Sequence, residues 1–315
     1  MGELRNITKE AGSIIITGHK RPDGDCIGAC IATYHYLNSI YQDKNIKVYL
    51  ENMPSRFTFL DPGMEIVSTE LPGGHFDLFM AFDCSAPDML GMAGSLFNSS
   101  KKTVCFDHHI SNKGYASRNI IEPSASSTCE VLYGLMDESS ICQKAAEALY
   151  TGIVFDTGIF SYSNTSRKTM EIAGNLMDKG IHFWDDIDRC FYQRTYTQTQ
   201  LLGRTLLTSM LLMEGKCIVA TITKRMMEFY GASLEDVEGI IEQLRITKGV
   251  EVAILLYETE KQEYKVSLRS NKYIDVSKIA KYFGGGGHIK AAGFTMRGSA
   301  YDVINNITEH IEMQL

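Results

Sequence analysis

Acidic and imidazole side chains follow directly after three apolar segments in the first part of the chain. Each segment has the composition of a buried strand: Ile14–Gly18, Phe76–Phe82 and Lys102–Phe106. The side chains that come after them are His19, Asp23 and Asp25, then Asp83, then Asp107, His108 and His109. A further carboxylate, Asp156, closes the apolar segment Tyr150–Phe155, which we take as a fourth end of the same kind. Because ligands bind outside the carboxyl ends of the strands in a parallel sheet, we expect these groups to meet at one edge.

Each cluster taken alone has an ordinary structural explanation. Pro22-Asp23-Gly24-Asp25 is turn composition, and either Asp25 or Asp83 could cap a helix. Asp107 and its two neighbouring histidines are harder to explain in this way, because buried polar and charged groups are costly unless they are paired or ligating. Four such ends in one sheet therefore favour a shared metal site.

The type and number of these side chains predict the kind of metal site. Oxygen and imidazole ligands without thiolates suit hard or borderline cations such as Mn²⁺ or Mg²⁺. Five aspartates and three histidines exceed what one ion needs. Two cations about 3.5–4 Å apart, sharing a bridging carboxylate, would use them well. We therefore expect two divalent cations, with Mn²⁺ ahead of Mg²⁺.

The first part of the chain must position these residues, and its strand and helix patterns alternate. Predicted strands are Ile14–Gly18, Lys47–Leu50, Phe76–Phe82 and Lys102–Phe106. Predicted helices cover Cys26–Tyr41, Ser127–Met136, Gln143–Phe155, Lys168–Lys179 and Phe183–Tyr192. This alternation predicts an α/β fold with a mostly parallel sheet and helices on both faces.

The pattern restarts after Tyr196–Met213, which we predict to be a helix leading out of the first domain. Strands are predicted at Cys217–Thr223, Glu251–Tyr257 and Glu263–Arg269, and helices at Glu235–Arg245, Val276–Tyr282 and Ala300–Met313. We therefore expect a catalytic domain at residues 1–194, a helical linker at 195–214 and a smaller mixed α/β domain at 215–315.

Composition excludes several classes of protein. Val252–Tyr257 is typical of the longest apolar stretches and is far too short to span a bilayer, and the N-terminus lacks an apolar signal region. The eight cysteines contain no C-x-x-C pair and fit reduced core thiols, so we expect a cytoplasmic protein. The net charge of −7 arises entirely before residue 215, which argues against binding of long duplex nucleic acid.

Five segments, in the order in which they occur, resemble the motifs of the DHH family of phosphoesterases. Gly18-His19-Lys20-Arg21-Pro22-Asp23-Gly24-Asp25-Cys26-Ile27-Gly28-Ala29 resembles the first motif. Asp83 matches the second motif, Asp107-His108-His109 the motif that names the family, and Asp156 the fourth. Gly284-Gly285-Gly286-Gly287-His288-Ile289-Lys290-Ala291-Ala292-Gly293-Phe294 resembles the glycine-rich motif of the DHH-associated domain. The resemblance covers essentially the whole chain, and the chain length is similar to that of the bifunctional oligoribonuclease and pAp phosphatase branch.

The resemblance implies a role for each site residue. One metal ion would be held by His19, Asp23 and Asp83, and the other by Asp25, Asp83, His108 and Asp156, with Asp83 bridging. Asp107 would orient a histidine. His109 would lie near the scissile phosphate, where it would stabilise charge or protonate the leaving oxygen.

The resemblance also places Arg269, the glycine run and His288 in the substrate site, in a cleft between the two domains. Gly285, Gly286 and Gly287 could form a flexible loop or a nest of backbone N–H groups that binds an anion, and Arg269 could be an ordinary surface residue. In the substrate site the guanidinium would bind a phosphate by two hydrogen bonds. Ser126-Ser127-Thr128 could cap a helix or touch substrate, and the sequence leaves this choice open.

The implied reaction is metal-dependent hydrolysis of short oligoribonucleotides to nucleoside 5′-monophosphates, of 3′-phosphoadenosine 5′-phosphate (pAp) to AMP, or of both. An alternative is cleavage of cyclic or linear dinucleotides such as c-di-AMP and pApA. A non-catalytic nucleotide sensor is disfavoured because the full set of ligands is intact. A family II pyrophosphatase would lack the glycine–histidine motif. The sequence leaves the oligomeric state open, with a homodimer as one option.

Overall fold

A computed structural model describes residues 2–63 and 65–315 and divides the chain into two compact units, with the boundary between Gln193 and Arg194. The helices within these ranges are too short or too polar to span a bilayer. Each unit has its own six-stranded sheet and its own hydrophobic core.

The first unit contains strands β1 to β6 and helices α1 to α7. The strands are β1 (Ser13–Thr17), β2 (Asn45–Tyr49), β3 (Val67–Ser68), β4 (Leu78–Phe82), β5 (Lys102–Asp107) and β6 (Arg118–Ile121). The helices are α1 (Glu3–Thr8), α2 (Gly24–Ile40), α3 (Gly94–Ser99), α4 (Thr128–Leu135), α5 (Gln143–Asp156), α6 (Arg167–Met177) and α7 (Phe183–Ile187).

The first sheet has the strand order β3-β2-β1-β4-β5-β6, and every neighbouring pair is parallel. Side chains of a strand point alternately to the two faces of a sheet. In β1, Ile14 and Ile16 pack in the core that contains α2 and α5, whereas Ile15 packs in the core beside α3. The predicted parallel sheet with helices on both faces is therefore confirmed.

The order in which the strands are added to the sheet reverses next to β1. This reversal determines where a ligand site can form. The chain runs outward from β1 to β2 and β3, and then returns to β4 on the other side of β1. In open α/β sheets the crevice at such a switch point, outside the carboxyl ends of the strands, is where ligands bind.

Several elements of the first unit differ from the prediction. Strands β3 and β6 were not predicted, and the segment Phe183–Tyr192 is not one helix. It contains α7 and then a π-helical turn at Asp188–Tyr192. Strand β3 has only two residues, too few for an alternating pattern, and β6 is half exposed at the sheet edge.

The second unit contains strands β7 to β12 and helices α8 to α12. The strands are β7 (Met210–Leu212), β8 (Cys217–Ile222), β9 (Val252–Glu260), β10 (Glu263–Ser270), β11 (Gly286–His288) and β12 (Ala291–Arg297). The helices are α8 (Tyr196–Leu207), α9 (Lys224–Tyr230), α10 (Ile240–Arg245), α11 (Val276–Tyr282) and α12 (Ala300–Glu312).

The second sheet is mixed, in the order β11-β12-β10-β9-β8-β7, with only β8 and β9 parallel among these neighbours. Helices α11 and α12 contribute to the core on one face, and α8 and α10 to the core on the other. This confirms the predicted smaller mixed α/β domain.

Two predictions for the second unit were wrong in detail, and one helix was not predicted. The predicted helix Tyr196–Met213 ends at Leu207, after which Met210–Leu212 pairs with β8 as an edge strand. The predicted helix Glu235–Arg245 begins as a 3₁₀ turn at Leu234–Val237 and becomes α10 only at Ile240. Helix α9 was not predicted; it ends at Gly231, which has φ +61° and is typical of a helix C-terminus.

Candidate metal centre

The predicted ligands of the first unit converge beyond the carboxyl ends of β1, β4 and β5. His19 lies two residues after β1, Asp83 follows β4 directly, and His108 follows β5 directly. Asp23 caps α2, where its Oδ1 accepts a hydrogen bond from the backbone N–H of Asp25 (3.1 Å). This segment is therefore a helix cap and part of the cluster at the same time.

Asp83 lies at the centre of the cluster and is buried. Its Oδ2 is 3.7 Å from Nε2 of His19, and its Oδ1 is 3.7 Å from Nε2 of His108. The backbone at Asp83 has φ +57°, a left-handed conformation in which aspartate is one of the few favoured residues besides glycine. Because its two oxygens face different histidines, this one carboxylate can serve two ligand groups.

Three groups of ligand-type side chains have donor atoms within 4.8 Å of one another among the described residues. They are His19 with Asp23 and Asp83, Asp25 with His108 and Asp156, and Asp83 with His108 and His109. The first group also has His19 Nε2 at 3.8 Å from Asp23 Oδ1, and in the second His108 Nε2 is 3.2 Å from Asp156 Oδ2. The structure thus brings all six predicted ligands together.

Asp25 is fully buried and is held by the N-terminus of α4. Its Oδ2 accepts from the backbone N–H of Thr128 (2.6 Å) and its Oδ1 from that of Cys129 (2.9 Å). The free N–H groups and the dipole at a helix N-terminus favour a carboxylate there. The Thr128 hydroxyl donates to Asp83 Oδ1 (3.0 Å), while Ser127 caps the helix. Within Ser126–Thr128, the capping residue and the residue that touches the cluster are therefore different.

The electrostatics of the cluster fit divalent cations. Burial, together with the charges of Asp83 and Asp156, raises the pKa of Asp25 well above its usual range. Burial and the charges of Asp83 and Asp23 raise the pKa of Asp156 to about 7. So many carboxylates cannot all ionise in one buried place unless cations neutralise them. The donors are oxygens and imidazole nitrogens, which suits Mn²⁺ or Mg²⁺.

Asp107 contacts His109 and not the ring of His108. Its buried Oδ1 accepts from His109 Nδ1 (2.7 Å), and its Oδ2 accepts from Asn112 Nδ2 (2.6 Å). The hydrogen bond that His109 donates to Asp107 is the main reason that the pKa of His109 rises to about 9. The sequence analysis missed Asn112, whose only signal is a polar side chain five residues after Asp107. His108 instead has Nδ1 at 3.3 Å from the carbonyl of Ala125.

Asp156 reaches the cluster from a helix, so the predicted helix Gln143–Phe155 is confirmed, whereas counting Asp156 among the ends of the sheet was wrong. It is the last residue of α5, which packs closely on α2. A Cβ on Gly28 would lie 2.4 Å from the carbonyl oxygen of Ala148, so the glycine permits this approach. A short apolar run cannot be assigned to strand or helix by its pattern alone. Asn164, which the sequence analysis also missed, donates from Nδ2 to the Asp156 carbonyl (3.1 Å).

The residues predicted to bind substrate lie together in the second sheet. Arg269 on β10 pairs with Ala291 of β12, and Ala291 pairs in turn with His288 of β11, so the three occupy one row across the strands. Adjacent strands are about 4.8 Å apart, which puts the backbones of Arg269 and His288 roughly 10 Å apart. Arg269 Nε donates to Glu242 Oε1 at 2.7 Å. Their contact with phosphate stays a prediction.

The glycine run is an edge strand and not a flexible loop. Gly286–His288 pairs with β12, and the neighbouring glycines allow the close approach. A Cβ on Gly285 would lie 2.2 Å from the carbonyl oxygen of Gly293, and Gly287 has φ +144° with a Cβ position 2.4 Å from the carbonyl oxygen of Ala291. An edge strand keeps part of its backbone N–H groups unpaired, so these glycines can still donate to an anion.

Known proteins share both units. Residues 13–153 match the DHH family N-terminal domain, and residues 214–315 match the DHHA1 domain. The "Bifunctional oligoribonuclease and PAP phosphatase NrnA" of Thermus thermophilus is 29% identical over 92% of this chain and 86% of its own length. The protein of the same name from Bacillus subtilis is 27% identical over 89% and 88%. The crystal structure of an exopolyphosphatase-related protein from Bacteroides fragilis has a TM-score of 0.88 and 25% identity, covering 99% of this chain and 96% of its own.

Proposed function

We propose that this chain, which contains a DHH family N-terminal domain and a DHHA1 domain, is a metal-dependent phosphoesterase for short oligoribonucleotides and pAp. The observation that carries the proposal is the placement of Asp83, whose two oxygens face His19 and His108 in two ligand groups. A carboxylate shared in this way is what a pair of cations requires.

The cations would be held by the side chains already described. One ion would take His19, Asp23 and Asp83, and the other Asp25, Asp83, His108 and Asp156. When bound, such a pair lowers the pKa of a bound water and neutralises charge on the phosphate oxygens. Mn²⁺ is our choice of ion because the donors are nitrogen and oxygen, and no cysteine belongs to the three ligand groups found in the described ranges.

His109 would act on the leaving oxygen. Asp107 accepts a hydrogen bond from its Nδ1–H at 2.7 Å, which fixes the ring and raises its pKa to about 9, so at neutral pH Nε2 also carries a proton. The ring is 42% exposed, so its outer edge can reach a substrate. A protonated imidazole at this place donates its Nε2 proton to the departing oxygen, and a later proton from water restores it.

The substrate proposal rests on the two NrnA relatives, on Arg269 and His288, and on the acidic excess of the first part of the chain. The relatives carry both activities in their names and cover most of this chain. Short substrates with few phosphates need little basic surface, in contrast to long duplexes. The eight cysteines are free thiols, which supports our proposal that the protein works in the reducing cytoplasm.

A substrate panel tests this proposal. Purified protein with Mn²⁺ should release AMP from pAp and mononucleotides from short RNA, and EDTA should stop both reactions. The panel also contains pApA and c-di-AMP at equal concentration. Initial rates highest on c-di-AMP would replace the proposal with a cyclic-dinucleotide phosphodiesterase. Tight binding of these nucleotides without any turnover in Mn²⁺ would make the protein a sensor.

A further inference from the structure

A cavity of about 600 Å³ lies in the second unit, at the end of the sheet where β10 finishes and β8 and β9 begin. It is lined by Arg245–Thr247, by Gly249–Glu251, by Lys216 and by Asn271–Tyr273. Neither the side chains of the candidate metal centre nor Arg269 and His288 line it. Its volume falls in the range of about 300–1,000 Å³ that is usual for small-molecule sites.

Hydrogen bonds hold the walls of this cavity in place. Asn271 Nδ2 donates to the carbonyls of Arg245 (3.0 Å) and Val250 (2.8 Å), and its Oδ1 accepts from Arg245 Nη1 (2.8 Å). Glu251 is buried and accepts from the backbone N–H groups of Tyr273 (2.8 Å) and Ile274 (3.0 Å). A wall fixed in this way loses little conformational freedom when a ligand binds.

The cavity is positively charged. Lys216, Arg245 and Lys272 line it, and Glu251, which is the only acidic residue among its lining residues, is occupied by backbone donors. The ring of Tyr273 is 54% exposed at the same place. Cations beside an exposed aromatic ring suit a phosphate attached to a base, because stacking of a base on an aromatic ring adds about 1–3 kcal/mol.

An arginine pair joins the cavity to the predicted phosphate site. Glu242 accepts from Arg245 Nε through Oε2 (2.6 Å) and from Arg269 Nε through Oε1 (2.7 Å). The guanidinium of the cavity and the guanidinium of the predicted site therefore share one carboxylate and are neighbours. A chain of nucleotides with a phosphate at each unit could contact both.

We propose that this cavity binds a second nucleotide unit of the substrate, with its phosphate near Lys216, Arg245 and Lys272 and its base on Tyr273. The inference rests on the proposed function and makes it more specific. Oligonucleotides would fill both positions, whereas pAp would fill only the one at Arg269. The cavity thus selects short RNA over a mononucleotide.

The test compares kcat/KM for pAp, pApA and pApApA in Mn²⁺. Lys272→Ala and Tyr273→Ala change exposed side chains, and Lys261→Ala is the control, in the turn between β9 and β10 at the far end of the sheet. In both cavity variants we expect the ratio of kcat/KM for pApApA to that for pAp to fall about tenfold, which corresponds to about 1.4 kcal/mol. The control should keep the wild-type ratio.

Three other outcomes of this experiment would overturn the inference. If wild type hydrolyses pAp but the cavity variants keep the wild-type ratio, the cavity does not bind substrate and the inference is overturned. If added AMP changes wild-type turnover of pAp and Lys272→Ala abolishes that effect while the ratio is kept, the ligand is a free nucleotide and the inference is again overturned. If wild type hydrolyses none of the three compounds, the proposed function itself fails, and the inference fails with it.

Discussion

Asp83 shows how a single residue can determine the chemistry of a whole site. It contacts His19 with one oxygen and His108 and Thr128 with the other. Burial raises the pKa values of Asp25 and Asp156, and the negative charge of Asp83 raises them further. In the metal-free protein, the attraction of Asp83 to the histidines and to the Thr128 hydroxyl opposes its repulsion by Asp25 and Asp156. Adding cations removes the repulsion, so Asp83 matters far more for metal binding than for folding.

Replacing Asp83 by asparagine should separate these two roles. Asp83→Asn keeps the shape and an acceptor for Thr128 but loses the shared charge. We expect turnover to fall by at least about a thousandfold and the rise in melting temperature on adding Mn²⁺ to disappear. In EDTA the melting temperature should stay close to that of wild type.

The matched control for this variant is Asp88→Asn, which removes the same charge from an exposed position in the next turn of chain. It should keep both activity and the Mn²⁺-dependent shift. Turnover within tenfold of wild type in Asp83→Asn would contradict the shared-carboxylate arrangement.

At the scale of elements, helix termini complete the site that the strands begin. The N-terminus of α4 holds Asp25, and the C-terminus of α5 supplies Asp156. The sheet edge could be predicted from apolar strands that end in polar residues, because that pattern is local. The helix that ends at Asp156 was also predicted, but its packing against α2 through Gly28 was not, because a glycine in a helix does not show in sequence what it packs against.

The edge strands show the same limit. Strand β11 is made of glycines and a histidine, with none of the alternation that marks a half-buried strand. It exists because Gly285 and Gly287 let the backbone approach β12. The sequence analysis could therefore identify the motif through its resemblance to a family but not its conformation. Strand β7 likewise interrupts a leucine-rich segment that has a helical pattern.

Helix α7 contains an unusual buried acid away from the metal centre. Asp186 is 2% exposed, and among the described residues neither of its carboxylate oxygens has a hydrogen-bond donor. Burial, together with the nearby charge of Glu147, raises its pKa to about 7. The folded chain therefore keeps this proton over a pH range in which the unfolded chain, with a pKa near 3.8, has lost it.

The stability of the first unit should therefore fall as pH rises. Below about pH 4 both states hold the proton; between about pH 4 and 7 only the folded state does, so stability declines, and above pH 7 the loss is complete. The free energy of unfolding of Asp186→Asn minus that of wild type should increase by on the order of 2–3 kcal/mol from pH 5 to pH 8. Denaturant titrations of the metal-free protein, followed by the fluorescence of Trp184, would measure this gain.

Asp185→Asn is the matched control, since Asp185 is the neighbouring, more exposed acid. The difference between its free energy of unfolding and that of wild type should be the same at pH 5 and at pH 8. A difference for Asp186→Asn that does not change with pH would show that Asp186 is ionised in the folded protein.

At the scale of the whole molecule, the candidate metal centre and the residues predicted to bind substrate lie in separate units. The three ligand groups found among the described residues all lie before Gln193, whereas Arg269, His288 and the basic cavity lie after Arg194. Each unit has its own core, so each can respond separately to a ligand. Binding of Mn²⁺ should therefore stabilise one unit and leave the other unchanged.

The chain provides a direct way to observe this, because Trp184 is its only tryptophan and lies in the first unit. At a Mn²⁺ concentration about 100 times Kd, stabilisation of about 2.7 kcal/mol should raise the midpoint seen by Trp184 fluorescence by roughly 5–10 °C. Circular dichroism reports both units and should show a second transition that does not move. Asp83→Asn should abolish the shift. If Mn²⁺ moved both transitions equally, the units would unfold as one, and the separation of metal binding from substrate recognition would have to be given up.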